Sequence, residues 1–182
     1  GRGLDRAFEV ISQLQGVPIP ASVLERDVFA SRVRDYAPRL LDELLAAGEV
    51  MWVGAGSIGR DDGRVRLLLR DQAPLLLQKL LSSGDRPDGE EHERLREILS
   101  TRGACFFREL GGAKPDDETL DALWDLVWAG EVTNDSFNAV RALSAKKRSG
   151  GKARGGRPRL GNLTALGPPK AAGRWSLVSS EV

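Results

Sequence analysis

The side chains that most often carry chemistry are scarce in this sequence. Among 182 residues there is one cysteine, Cys105, and one histidine, His92. A structural zinc site draws four ligands largely from these two residue types, so no metal site is expected, and a lone thiol closes no internal disulfide. A Ser-His-Asp relay or a histidine general base would have to run through His92. That residue stands in the run Glu90-Glu91-His92-Glu93-Arg94, where a charged, solvated helix face is expected. What the sequence holds in quantity is charge, 27 Lys and Arg against 26 Asp and Glu. Most histidine-based general-base and Ser-His-Asp chemistry is not expected here, unless His92 itself sits in a site.

The charge is unevenly placed. Residues 1–143 hold 18 Lys/Arg and 25 Asp/Glu, whereas residues 144–182 hold nine Lys/Arg against Glu181 alone. Within the basic part, Lys146, Lys147, Arg148, Lys152, Arg154, Arg157 and Arg159 lie in a Gly-rich stretch with almost no apolar residue before Leu160. Such a stretch cannot bury enough surface to offset its chain entropy, so a flexible tether is expected, with charge that suits a phosphate backbone. Gly156-Arg157-Pro158-Arg159 resembles the Gly-Arg-Pro core of minor-groove hooks, but Gly155 stands where a basic residue would precede it. A second basic group is Arg64, Arg66 and Arg70, set on one face by strand alternation, with Arg60 in the preceding turn. Asp61, Asp62 and Asp71 dilute that patch.

The elements that must carry these residues are legible from pattern. Hydrophobic residues make up 41% and the mean hydropathy is -0.29, enough for a packed core. No run approaches the roughly 18 to 20 apolar residues that cross a bilayer, and Gly1-Arg2-Gly3-Leu4-Asp5 does not begin a signal peptide. A cytoplasmic protein without a membrane role is expected. The one methionine is Met51, so the chain is expected to be a section of a longer protein.

An internal repeat organises the chain. Leu41-Asp42-Glu43-Leu44-Leu45-Ala46-Ala47-Gly48-Glu49-Val50 aligns with Leu123-Trp124-Asp125-Leu126-Val127-Trp128-Ala129-Gly130-Glu131-Val132, identical at six positions. Each copy predicts a helix ended by Gly and running into a strand. Pro38 and Pro115 stand near the helix starts. Upstream of the first copy, Leu4, Phe8, Ile11 and Leu14 predict a helix from about Asp5, and Pro20 to about Asp27 a second. Upstream of the second copy, Asp88-Gly89-Glu90-Glu91 has the form of a capping box before a helix, and Ala104 to Leu110 predicts a short one. Val50–Val53 and Arg64–Arg70 predict a hairpin around the turn-forming Gly54–Gly63.

Three helices and a hairpin describe a winged-helix module. The expected fold is mainly α with small β-hairpin wings, as tandem winged-helix modules. The first spans 1–71, and the second, 72–143, has a reduced wing because Val132–Asp135 passes directly into a helical Phe137–Leu143. A basic Gly/Pro-rich linker, 144–172, and the start of a following module, 173–182, complete the expected organisation.

The third helix of each module argues against groove reading. The first carries Arg39, Asp42 and Glu43, and the second carries Asp116, Asp117, Glu118, Asp121 and Asp125 without a Lys or Arg. Five carboxylates would repel a duplex. Leu120, Leu123, Trp124, Leu126, Val127 and Trp128 cover more than one stripe, a pattern for packing on both sides. Trp124 and Trp128 are therefore candidates for a module-to-module or subunit interface, or for their own small core.

Several strings are familiar together: Arg32-Val33-Arg34-Asp35-Tyr36, Leu41 to Gly56, Gly59-Arg60-Asp61-Asp62-Gly63-Arg64-Val65, Trp124 to Asp135, and Gly173 to Val178. They resemble the C-terminal region of bacterial large helicase-related (Lhr) proteins. The resemblance implies a superfamily 2 ATP-dependent helicase that moves 3′ to 5′ on single-stranded DNA, unwinds RNA:DNA hybrids and duplexes, and serves DNA repair. Its ATP- and Mg-dependent motor is not in this chain, which has no Gly-x-x-x-x-Gly-Lys-[Ser/Thr] loop, so no cofactor is expected here. What remains resembles part of an array of winged-helix modules beside a barrel module, which in the family supports homo-oligomer assembly. A related family of winged-helix DNA glycosylases supplies an enzymatic alternative, since it uses a Gln-x-Gln motif and Gln13-Leu14-Gln15 occurs here. The expected role is a non-catalytic section supporting assembly, with auxiliary nucleic-acid contact.

Overall fold

In the computed structural model, which describes residues 3–80, 86–112, 116–145 and 167–182, each half of the chain builds three helical segments and a three-stranded sheet. In the first half, Ala7, Val10 and Ile11 recur at helical spacing and turn one face of α1 (Gly3–Leu14) into the core. β1 (Ile19–Pro20) leads into α2 (Ala21–Val23), a π-helical segment Leu24–Phe29 and α3 (Ala30–Arg32). This second helical stretch therefore runs past the predicted end near Asp27. α4 (Pro38–Ala46) begins with Pro at its first turn, where the missing N–H has no helical partner to lose. The hairpin β2 (Val50–Ser57) and β3 (Gly63–Leu69) joins β1 in the order β1-β3-β2.

α5 (Ala73–Leu80) then covers the hairpin's other face, packing Ala73 and Leu77 with Met51, Val53 and Leu68.

The second half contains α6 (Glu90–Arg102), β4 (Cys105–Phe106), a 3-10 turn Phe107–Leu110, α7 (Asp116–Trp128), β5 (Val132–Asn134), α8 (Asn138–Ala145) and β6 (Arg174–Leu177). Two expectations are corrected here. Gly89 caps α6 with no side-chain bond, so Asp88 does not form the expected capping box. The predicted helix at Ala104–Leu110 is a strand followed by the 3-10 turn, because Cys105 and Phe106 pair with β6.

That pairing also revises the expected organisation. Residues 174–177, expected to open a following module, form the middle strand of the second sheet, in the order β4-β6-β5. Val50 pairs with Leu69 in the first sheet, and its repeat counterpart Val132 pairs with Leu177 in the second. The Arg70 N–H donates to the Glu49 carbonyl, and the Val178 N–H donates to that of Glu131, both at 2.9 Å. The second wing therefore has both of its strands but is short, β5 and β6 having three and four residues against eight and seven in β2 and β3. α8 and the basic tract are inserted between its two strands.

The repeat is reproduced down to its helix caps. Gly48 and Gly130 take φ of +72° and +79°, the left-handed region that favours glycine. Gly48 N–H reaches the Leu45 carbonyl and Glu49 N–H that of Leu44; Gly130 and Glu131 repeat this with Val127 and Leu126. Side chains of both halves, among them Ile11, Leu41, Trp52, Leu99, Leu123 and Trp175, share one hydrophobic cluster.

Candidate nucleic-acid interface

The junction between the halves decides which surfaces are free to bind. α7 lies on the hairpin at two glycines, Gly54 of β2 and Gly63 of β3. A Cβ on Gly54 would overlap the Val127 carbonyl, and one on Gly63 would come within 2.5 Å of the Trp128 ring. Only a residue without a side chain lets the helix approach this closely. Trp128 meets Trp124 at 5.3 Å between ring centroids, and Trp124 meets Trp175 edge-on at 5.6 Å. Trp124 is 7% exposed and donates its indole N–H to the Lys170 carbonyl at 3.2 Å. The two candidate interface tryptophans thus sit inside this chain, Trp128 between the modules and Trp124 beside it.

Three further residues close the junction, and none was singled out from the sequence. Trp52 on β2 is fully buried, stands edge-on to Phe137 at 5.8 Å and donates to the Ser136 carbonyl at 3.1 Å. Thr133 returns a hydrogen bond to the Trp52 carbonyl. Arg141 on α8 reaches Glu25 in the π-helical segment with two hydrogen bonds, 2.7 and 2.9 Å, and Asp42 on α4 at 2.8 Å. Burial opposes the Arg141 charge, yet Glu25 and Asp42 more than offset this and raise its pKa. Tyr36 donates to Glu25 at 2.6 Å, and burial first, then this carboxylate, push its phenol well above the ordinary range. Residue types alone carried no signal of this network, since its members lie up to 116 positions apart.

The four wing arginines do not form one open patch. Arg64 is exposed, but Arg66 is half-buried and donates to the Gly16 carbonyl. Arg70 pairs with Glu181 at 2.7 Å. Burial alone would raise the Glu181 carboxyl, but Arg70 and Ser176 hold it below its usual range. Leu68, on the same face as the arginines, is covered by α5, which interrupts the row. Arg60 borders a cleft of about 650 Å³ whose wall also holds Asp61, Asp121 and Asp125. Lys146, Lys147, Arg148, Lys152, Arg154, Arg157, Arg159 and Pro115 lie outside the described residues.

Gln15 is half-buried, accepts from the Leu69 N–H at 2.9 Å and donates to Gln72 at 2.9 Å, so it ties α1 to the wing; Gln13 is exposed. His92 is not on an open face: its ring is 18% exposed and its Nε2 lies 2.9 Å from Asp125 on α7. Cys105 is buried, and burial, reinforced by Glu109, pushes its thiol pKa up. Among the described residues no three His, Cys, Asp or Glu side chains are grouped to hold a metal, and no helix is long and apolar enough to cross a membrane.

Comparison with known proteins places this arrangement. Residues 1–70 match the family described as large helicase-related protein, winged-helix domain. A Mycolicibacterium smegmatis protein named "Lhr helicase/ probable uracil glycosylase" is 46% identical over 96% of this chain. An Escherichia coli protein named "Lhr helicase/uracil glycosylase" is 35% identical over 98% of it. The chain spans 12% and 13% of the length of these relatives. The tandem modules, their repeated caps and the match across both halves identify the chain as a winged-helix section belonging to the large helicase-related (Lhr) family of helicases.

Proposed function

We propose that this section is a non-catalytic scaffold of an Lhr-type DNA helicase, supporting homo-oligomer assembly, with auxiliary contact to single-stranded DNA or an RNA:DNA hybrid. ATP, Mg and the 3′ to 5′ motor would belong to the rest of the parent, whose repair role follows from the same reading. The observation that carries the proposal is the position of α7. A groove-reading helix must enter the major groove. α7 is buried on its apolar sides against its own module and β2, and its exposed positions are Asp116, Asp117, Glu118, Asp121 and Asp125. A helix so placed joins modules rather than reads bases.

The test compares the full chain with a variant whose seven basic residues between Lys146 and Arg159 are changed to Gln or Ser. Single-stranded DNA affinity is followed across a salt series, with sedimentation of both proteins alongside. Each phosphate neutralised contributes roughly -0.7 to the slope of log affinity against log salt. Loss of several such units locates the main contact in the basic tract. An equal slope assigns it to the modules, and a monomer at all concentrations overturns assembly by this section.

A second reading, uracil-directed base excision, rests on the names of the two relatives. Gln15 is already engaged by Leu69 and Gln72, which leaves Gln13 alone of the Gln-x-Gln pair. A base-release assay on uracil- and alkyl-containing DNA separates the readings, with no product expected from the scaffold. Product that disappears in the Gln13→Ala/Gln15→Ala double variant would establish the enzyme instead.

A further inference from the structure

We propose that Phe106, flanked by Arg108 and Arg174, is a stacking platform for an unpaired base of single-stranded DNA. The inference rests on the nucleic-acid contact proposed above and gives it a place. Of the ten aromatic side chains, Phe106 is the exposed one, at 44%. Its position follows from strand alternation: Cys105 turns inward, so Phe106 turns out. Its cross-strand partner is Arg174. The Arg108 and Arg174 guanidinium carbons lie 5.6 and 5.9 Å from its ring centroid. These are at the outer limit of a cation–π contact, so either cation can yield the ring face to a base or stack on the base itself.

The backbone beneath the ring is fixed. The Phe106 N–H donates to the Glu109 carboxylate at 2.7 Å, and Arg102 donates to the Glu109 carbonyl at 3.4 Å. Arg174 is held by Asp135, through its backbone N–H at 2.9 Å and its Nε at 3.5 Å. Arg108 makes no ion pair among the described residues and is free to take a phosphate. Beside the ring lies a mostly apolar depression of about 350 Å³, walled by Phe107, Pro168, Pro169 and Ala171. An exposed ring, two guanidiniums and an apolar recess are the parts of a single-strand stacking site, in which the base supplies its π-face and the backbone its charge. A duplex offers no free base face to such a ring, which is why the occupant is single-stranded.

The test titrates the full chain into a fluorescein-labelled oligothymidylate across a salt series, with Phe106→Ala, Phe106→Leu, Phe106→Tyr and Arg108→Gln. Loss of one stacked base weakens Phe106→Ala by roughly tenfold or more with an unchanged salt slope, and Phe106→Tyr restores binding. Arg108→Gln flattens the slope by about 0.7. Phe106→Leu keeps apolar bulk without the π-face, so wild-type affinity in that variant overturns stacking. Wild-type affinity in Phe106→Ala overturns the platform while leaving the nucleic-acid reading in place. If the wild-type chain binds no oligothymidylate, both fall. Phe106→Ala that loses self-association in sedimentation but keeps its DNA affinity assigns the ring to a protein contact and overturns the proposal.

Discussion

Arg141 and Glu25 belong to different modules and meet as a two-pronged ion pair, with Nε and Nη2 at 2.7 and 2.9 Å from the two carboxylate oxygens. The Tyr36 hydroxyl and Asp42 complete the cluster. Side chains of Arg141 and Glu25 are 23% and 17% exposed, so solvent only partly screens them. Arg141→Met and Glu25→Gln are each expected to lower unfolding free energy by about 2 kcal/mol, the scale of hydrogen bonds to charged groups. A double-mutant cycle in urea should return a coupling of about 1 kcal/mol or more, and additive losses would mean the pair is not coupled.

Gly54 and Gly63 predict a sharper effect. Alanine at either position meets α7 backbone or the Trp128 ring, and neither can shift without opening the junction. Gly54→Ala is expected to cost about 3 kcal/mol or more, the upper part of the overpacking range, and to split one thermal transition into two by calorimetry. Trp124→Ala, which removes a buried ring, is expected to cost about 3 to 5 kcal/mol. A change in its self-association is therefore interpretable only at matched folded fraction.

Removing β6 should unfold the second sheet. A chain ending at Leu143 retains β4 and β5, but β6 is the strand that joins them. Near-ultraviolet dichroism of that truncation should lose the environment of Trp124, which packs on Trp175. Retention of the full-length spectrum would show that the second module closes without β6.

Cys105 is buried and its thiol pKa is raised, so little reactive thiolate forms near neutrality. Alkylation by iodoacetamide should be slow in the native chain and fast in denaturant. Rapid native labelling would contradict the burial of β4.

The Arg70–Glu181 pair should make stability acid-sensitive. A carboxyl whose pKa is lower folded than unfolded stabilises the fold above the ordinary glutamate value, and this is lost as pH falls through the lower folded value. Wild type and Glu181→Gln should differ in thermal midpoint at about pH 6 and converge toward about pH 3. A difference that persists in acid would point to packing rather than charge.

What was legible in the sequence was local. Gly48 and Gly130 end helices because only positive φ closes those caps, and that requirement is written in the repeat itself. The winged-helix order followed from apolar spacing. β6 was not legible, because four residues, Arg174 to Leu177, pair with β4 and β5 across a long basic tract. Arg66 and Arg70 were correctly set on one face, but their partners, Gly16 and Glu181, lie 50 and 111 positions away. Arg66 and Arg70 are engaged, as Arg141 is, by partners that no local pattern announces, whereas Arg60 and Arg64 stay exposed.

The insertion between β5 and β6 also governs when the second module can close. During synthesis the N-terminal module has every strand of its sheet once Leu69 has emerged. Its neighbour must wait until Leu177, with the facing edges of β4 and β5 unpaired in the interval. High sequence separation slows folding, and unpaired edges invite foreign strands. The finished first module, through β2 and the aromatic wall of Trp52, offers β5 a surface on which to wait. The order of the two repeats along the chain thus sets a direction of assembly, in which the early wing serves as template for the late one.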